Sequence, residues 1–144
     1  MDILEKLLDF GVTRQVTIGR ENIVENMLSL YSEGDATGCF LNVNFYNESA
    51  VDFDGMKREA VRLFWEKVLP IYFDGINSYV PRISPAIDKT TYIRLGRILS
   101  HKFLIVGVFP TSLDKLFISA LLVGKQHFSD QNFFGGVLGL YNFL

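Results

Sequence analysis

The chain has 144 residues, 49% hydrophobic and 14% aromatic, which suits a single folded domain with a sizeable core and excludes a disordered chain. Fourteen Lys and Arg against sixteen Asp and Glu leave a net charge of −2, and the basic residues stand singly or in pairs. No basic stripe exists, which argues against nucleic acid as a partner, and the apolar runs 103–109 and 133–141 are too short to span a bilayer.

The start, Met1-Asp2-Ile3-Leu4-Glu5-Lys6, lacks the basic region and apolar core of a secretory signal. Cys39 is the single cysteine, so no internal disulfide forms. Together these predict an intracellular protein, in cytoplasm or nucleus, with no membrane partner. The triplet Asn47-Glu48-Ser49 matches a glycosylation acceptor that such a protein never uses. A mean hydropathy of +0.21 predicts some apolar surface that meets a partner or a continuation of the chain.

Ile3, Leu4, Leu7 and Leu8 fall at helical spacing, with Gly11 as a stop. A second helix is predicted over 21–31, with Ile23, Met27, Leu30 and Tyr31 as its stripe, widened by Val24 and Leu28. A polar, Gly-containing turn follows over 32–38. The period then changes: Leu41, Val43 and Phe45 alternate with Asn42 and Asn44, the pattern of a half-buried strand.

Val51-Asp52-Phe53-Asp54-Gly55 reads as a turn in which Gly55 takes a positive φ and Asp54 caps the next helix. That helix carries Met56, Ala60, Leu63, Phe64 and Val68 on one face, widened by Trp65, and is expected to end at Pro70. Asp74-Gly75 marks a tight turn, and Pro81 and Pro85 a loop. Thr90 or Thr91 is the expected cap of a helix bearing Tyr92, Leu95, Leu99, Phe103 and Val106 and closing at Gly107. Pro110-Thr111-Ser112 is expected to open a last helix with Leu113, Leu116, Phe117, Ala120 and Leu121, ended by Gly124. The tail 133–144 is apolar and uncharged; it is either a terminal element docked on the core or an interface for a continuation. The fold class predicted is α+β, mostly helical, with one or two short strands and no internal repeat.

Leu41-Asn42-Val43-Asn44-Phe45, Glu48, and the run Val51-Asp52-Phe53-Asp54-Gly55-Met56-Lys57-Arg58-Glu59 together resemble the start of the N-terminal lobe of HECT-type ubiquitin ligase domains. In that family a strand leads to an Asp-x-Gly-Gly turn, followed two residues later by Arg-Glu on a helix. Ile18-Gly19-Arg20-Glu21-Asn22-Ile23 resembles the family's earlier segment, in which an Arg opens a helix before the strand. Tyr92-Ile93-Arg94-Leu95-Gly96-Arg97-Ile98-Leu99 resembles its Gly-Arg helix, and Gly107-Val108-Phe109-Pro110 also fits, especially the divergent animal HECT-like ligases of the G2/M-phase type.

The resemblance spans residues 16–124 and implies a partial N-lobe, with Asp52, Asp54, Gly55, Arg58, Glu59, Gly96 and Arg97 as its structural motif positions. Asp54 departs from the pattern, standing where the family usually has the first glycine of its pair. The family's catalytic cysteine belongs to a separate C-terminal lobe, within a Thr-Cys motif that this sequence lacks. The implied partners are a ubiquitin-conjugating enzyme and the remainder of the HECT domain, with no cofactor.

The residues themselves offer little chemistry. Cys39 is a candidate nucleophile by type, yet it has no His or Lys beside it in sequence, and a lone cysteine at a strand edge reads as a small buried hydrophobe. His101 reads as a helix-face or satisfied core histidine, His127 as a loop residue, and the three together lack metal-ligand spacing. Asp52, Asp54, Arg58 and Glu59 form the densest charged cluster, read as a cap with salt-bridging charges ahead of an acid/base pair. A cross-helix pair between Arg97 and Glu59 is a further structural expectation. Three function classes follow: a HECT ligase lobe, a HECT-like binding or scaffold module, and, far behind, an unrelated small enzyme using Cys39.

Overall fold

The computed structural model describes residues 13–32, 34–49 and 53–123. The expected helix bearing Ile3 and Leu8 lies outside them, as do Asp52, Gly124, His127, the tail 133–144 and the side chains of Phe103, Ala120 and Leu121. Within the described residues the fold is α+β and mostly helical, with four short strands in two pairs where one or two strands were expected.

Strand β1 (Thr13–Ile18) runs parallel to β2 (Phe40–Phe45), with Thr13 opposite Phe40 and Ile18 opposite Phe45. Helix α1 (Ile23–Leu30) and a short 3-10 helix, Gly34–Gly38, make the crossover that a parallel pair requires. Leu41, Val43 and Phe45 turn inward as the alternation predicts, each at most 2% exposed. A fully buried side chain of this size contributes about 1.5–3 kcal/mol, so a one-residue slip that buried Asn42 and Asn44 instead is strongly disfavoured. The α1 stripe also holds: Ile23, Met27 and Tyr31 are buried, while Val24, Leu28 and Leu30 pack partly against the core.

Helix α2 (Phe53–Tyr72) corrects three expectations. It begins at Phe53, so Asp54 lies inside its first turn rather than at the cap, its side chain 90% exposed and 4.0 Å from Lys57 Nζ. The charge still favours the positive end of the helix dipole. Gly55 is helical; the positive-φ glycines among the described residues are Gly75 and Gly107. Pro70 does not end the helix, which runs two residues further. Pro70 and Glu66, whose carbonyl loses its amide partner, are both exposed, so water can take up that acceptor. Ala60, Phe64, Trp65 and Val68 are buried as expected, and Trp65 meets Phe64 and Phe73 edge-on at 5.2 and 6.3 Å.

The α2 terminus is held from a distance. Arg82 donates to the carbonyls of Ile71 (3.0 Å), Pro70 (3.3 Å) and Phe73 (3.3 Å), while its Nε reaches Asp74 at 2.9 Å. A hairpin follows, β3 (Phe73–Gly75) antiparallel to β4 (Tyr79–Pro81). Gly75 has φ +147°, and a Cβ there would overlap the Ser78 carbonyl, so the Asp-Gly signal reports a real backbone demand.

Helix α3 (Lys89–Val106) is capped by Asp88, whose Oδ1 accepts from the Thr90 amide at 3.2 Å. The expected cap at Thr90 or Thr91 therefore shifts to the preceding aspartate. Its close at Gly107 (φ +72°) is as expected. Helix α4 (Lys115–Val123) starts later than the Pro110 signal suggested. Residues 110–112 instead turn the chain so that Leu113 bridges Tyr79, and Asp114 Oδ1 caps α4 through the amides of Leu116 (2.8 Å) and Phe117 (3.1 Å). The core joins the inner face of the sheet to α1, α2 and α3, and includes Leu113 and Phe117.

Candidate functional site

The densest polar arrangement forms where β1 gives way to α1. Arg20 follows Gly19, whose amide donates to Asn26 Oδ1 at 3.0 Å, and this turn aims the guanidinium back across the end of the sheet. Its Nε and Nη2 meet the two carboxylate oxygens of Glu48 at 2.6 and 3.0 Å, the bidentate fork geometry. Its Nη1 meets Glu59 Oε1 at 2.6 Å, and its centre lies 4.1 Å from the Phe45 ring centroid. Lys67 Nζ donates to the Arg20 carbonyl at 2.8 Å. One side chain thus joins the β1–α1 turn, the loop after β2 and helix α2.

Hydrogen bonds from Arg20 hold the Glu48 and Glu59 carboxyls below the usual range, and the same bonds raise Arg20. All three stay ionised across the physiological range. Each side chain is about 40% exposed, so the cluster is screened by solvent and salt. A carboxylate saturated by an arginine is a poor proton carrier, and the acid/base reading of Glu59 has no support here.

The motif positions separate into two places. Gly55, Arg58 and Glu59 line one open groove of about 310 Å³ with Arg62 and Val108. Gly96 is buried on α3, and Arg97 Nη1 donates to the carbonyls of Tyr31 and Ser32, both at 3.2 Å. Arg97 therefore closes the C-terminus of α1 and does not pair with Glu59, whose partner is Arg20.

A second polar group lies inside the core. Tyr31 Oη is 2.6 Å from His101 Nδ1, and His101 Nε2 is 3.0 Å from the Cys39 carbonyl oxygen. A carbonyl only accepts, so Nε2 carries the proton and Nδ1 receives the Tyr31 hydroxyl proton in hydrogen bonding. Burial, with the Lys102 charge adding to it, lowers the His101 pKa to about 4, and burial raises Tyr31. The ring is neutral and fully engaged, matching the satisfied core histidine expected of it.

Cys39 is 7% exposed, and its Sγ donates to the Ala36 carbonyl at 3.5 Å. The hydrogen bond from His101 goes to the cysteine's backbone, so it does not activate the thiol. Lys102 is 1% exposed with its Nζ 5.9 Å from the Tyr31 ring centroid, and burial, with the Lys57 charge adding to it, lowers its pKa to about 8.

No family model and no curated protein matches this chain. The geometry accordingly stands by itself. Among the described residues no group of three His, Cys, Asp or Glu side chains is placed to hold a metal ion. Among them, too, no helix is long and apolar enough to cross a membrane.

Arg20 meets Glu48 and Glu59 across 28 and 39 residues of sequence, so no local pattern announces the clamp. Nor does one announce the Tyr31–His101–Cys39 chain, whose members are 70 and 62 residues apart.

Proposed function

We propose that this chain is the structural, N-lobe portion of a HECT-type ubiquitin-protein ligase, with no transfer chemistry of its own. One observation carries the reading. Arg20, Glu48 and Glu59 come from three separate segments that resemble the family in the right order, and they converge on one clamp within hydrogen-bond distance.

In this reading the clamp fixes the turn before α1 against the loop after β2 and helix α2, and Arg97 fixes the other end of α1. The result is a stiff frame on which a later lobe presents its cysteine. Partners are then a ubiquitin-conjugating enzyme and the remainder of the HECT domain, and the setting is cytoplasm or nucleus. Cys39, buried and bonded through its own turn, takes no part in transfer.

The test is thioester formation. Incubated with activating enzyme, a panel of conjugating enzymes and ubiquitin, the chain should give no reductant-sensitive ubiquitin adduct on a non-reducing gel. An adduct abolished by Cys39→Ala contradicts the scaffold role and favours the small-enzyme reading.

A further inference from the structure

Strand β1 has one edge covered by β2, and among the described residues no strand pairs with its other, open edge. The Ile18 carbonyl accepts from the Tyr46 amide, just past β2, at 3.1 Å, so Ile18 directs its backbone groups toward that strand. Backbone direction alternates along a strand, and Arg14 and Val16 therefore also face β2, while Thr13, Gln15 and Thr17 face outward. Among the described residues no backbone bond reaches those three from the open side. Parallel strands are normally covered on both sides, whereas Thr13, Gln15 and Thr17 are all exposed.

The open edge lies beside a groove of about 370 Å³ between β1 and α1. Val16 and Leu30, both half-buried, give it an apolar strip; Thr17, Asn26 and Ser29 give it polar walls; Arg14 stands among them. Among the described residues no carboxylate lines the groove and none lies within ion-pair distance of Arg14. An open strand edge beside a helix is the geometry in which proteins take up an extended peptide as an added strand, main-chain bonds giving affinity and alternate side chains giving selectivity.

We infer that the outer edge of β1 is a strand-addition site for an extended peptide whose apolar residues alternate with polar ones and whose carboxylate meets Arg14. The apolar residues pack on Val16 and Leu30, and the polar ones project to the opposite face beside Gln15. This site is distinct from the Arg20 clamp and stands whether or not the ligase reading does.

The probe is a short fluorescent peptide of alternating Val and Thr carrying one Glu, titrated into the full chain by anisotropy with amide exchange followed by NMR. Saturable binding is expected, with the Thr13, Gln15 and Thr17 amides slowed at least about tenfold while Arg14, Val16 and Ile18 stay as they were. Arg14→Glu should weaken binding by roughly tenfold through charge reversal. Gln15→Pro removes an amide that faces the edge and not β2, so it should abolish binding in a chain that still melts cooperatively. A peptide N-methylated on the amides that would face β1 should fail to bind the unaltered protein, which decides the matter even where the proline variant does not fold. Absence of saturable binding, protection elsewhere than this edge, or equal binding by the N-methylated peptide overturns the proposal. So does a β1-to-β1 dimer that the peptide does not displace.

Discussion

Replacing Lys102 with methionine should make the protein more stable, although it removes a charge and leaves a side chain of similar length. Lys102 is 1% exposed, and burial, with Lys57 adding to it, lowers its pKa from 10.5 to about 8. At about 1.36 kcal/mol per tenfold, that difference corresponds to about 3 kcal/mol of destabilisation at pH 7, where the amine is charged in both states. Against this stands the cation's attraction to the Tyr31 ring at 5.9 Å, worth about 0.5–1 kcal/mol, which a methionine sulfur partly replaces. The net expectation for Lys102→Met is a gain of about 2 kcal/mol at pH 7, read from urea midpoints at constant m.

The pH dependence gives a sharper readout. Between pH 8 and 10.5 the unfolded lysine holds a proton that the folded one has lost, so the parent protein gains stability as pH rises through that window. Lys102→Met should lack this rise, and the two proteins should converge near pH 10.5. A destabilised methionine variant, or parallel stability curves from pH 7 to 10.5, would refute the claim that the charge is buried at a cost.

His101 has the matching acid window: its unfolded ring protonates near pH 6.5 and its folded ring only at about 4, so stability is lost as pH falls between them. Its ring resonances should accordingly show no titration above pH 5, and Lys102→Met should raise that folded pKa. Tyr31→Phe leaves His101 Nδ1 as a buried acceptor without its donor and should cost about 1–3 kcal/mol in a urea titration; an unchanged midpoint would remove the hydrogen bond from the account. Gly75→Ala meets both a positive φ and the Ser78 carbonyl, and should cost on the order of 1–3 kcal/mol by thermal melting. Arg20→Ala should lower the melting temperature more at low salt than at high salt, and Glu59→Gln should add nothing in that background, since the pair is already broken.

The elements legible in the sequence were those whose burial follows a local period. Leu41, Val43 and Phe45 alternate because one face of β2 is core, and Ile23, Met27 and Tyr31 recur because one face of α1 is core. Strand β1 was not legible: it pairs in parallel with a segment 27 residues away, and only Val16 and Ile18 break its run of exposed polar residues. Turn chemistry read well at Gly75, where the backbone demands glycine, and failed at Gly55, where the helix of Ala60, Phe64 and Val68 extends back over the Asp-Gly pair. Pro70 misled for a related reason, since the contacts that hold the last turn of α2 come from Arg82. Of the clamp, each member was visible and their meeting was not, because folding alone brings together Arg20 and Glu59 across 39 residues.

Transplanting the Arg20 clamp tests the proposal that it belongs to a HECT-type N-lobe frame. Residues 13–123 would replace the matching N-lobe segment of an active HECT ligase, and ubiquitin loading on that ligase's own cysteine would be measured in single-turnover pulse-chase. If the clamp is part of such a frame, the chimera loads ubiquitin and Arg20→Ala within it slows loading or transfer. A folded chimera that takes no ubiquitin from any conjugating enzyme accepted by the parent ligase would contradict it.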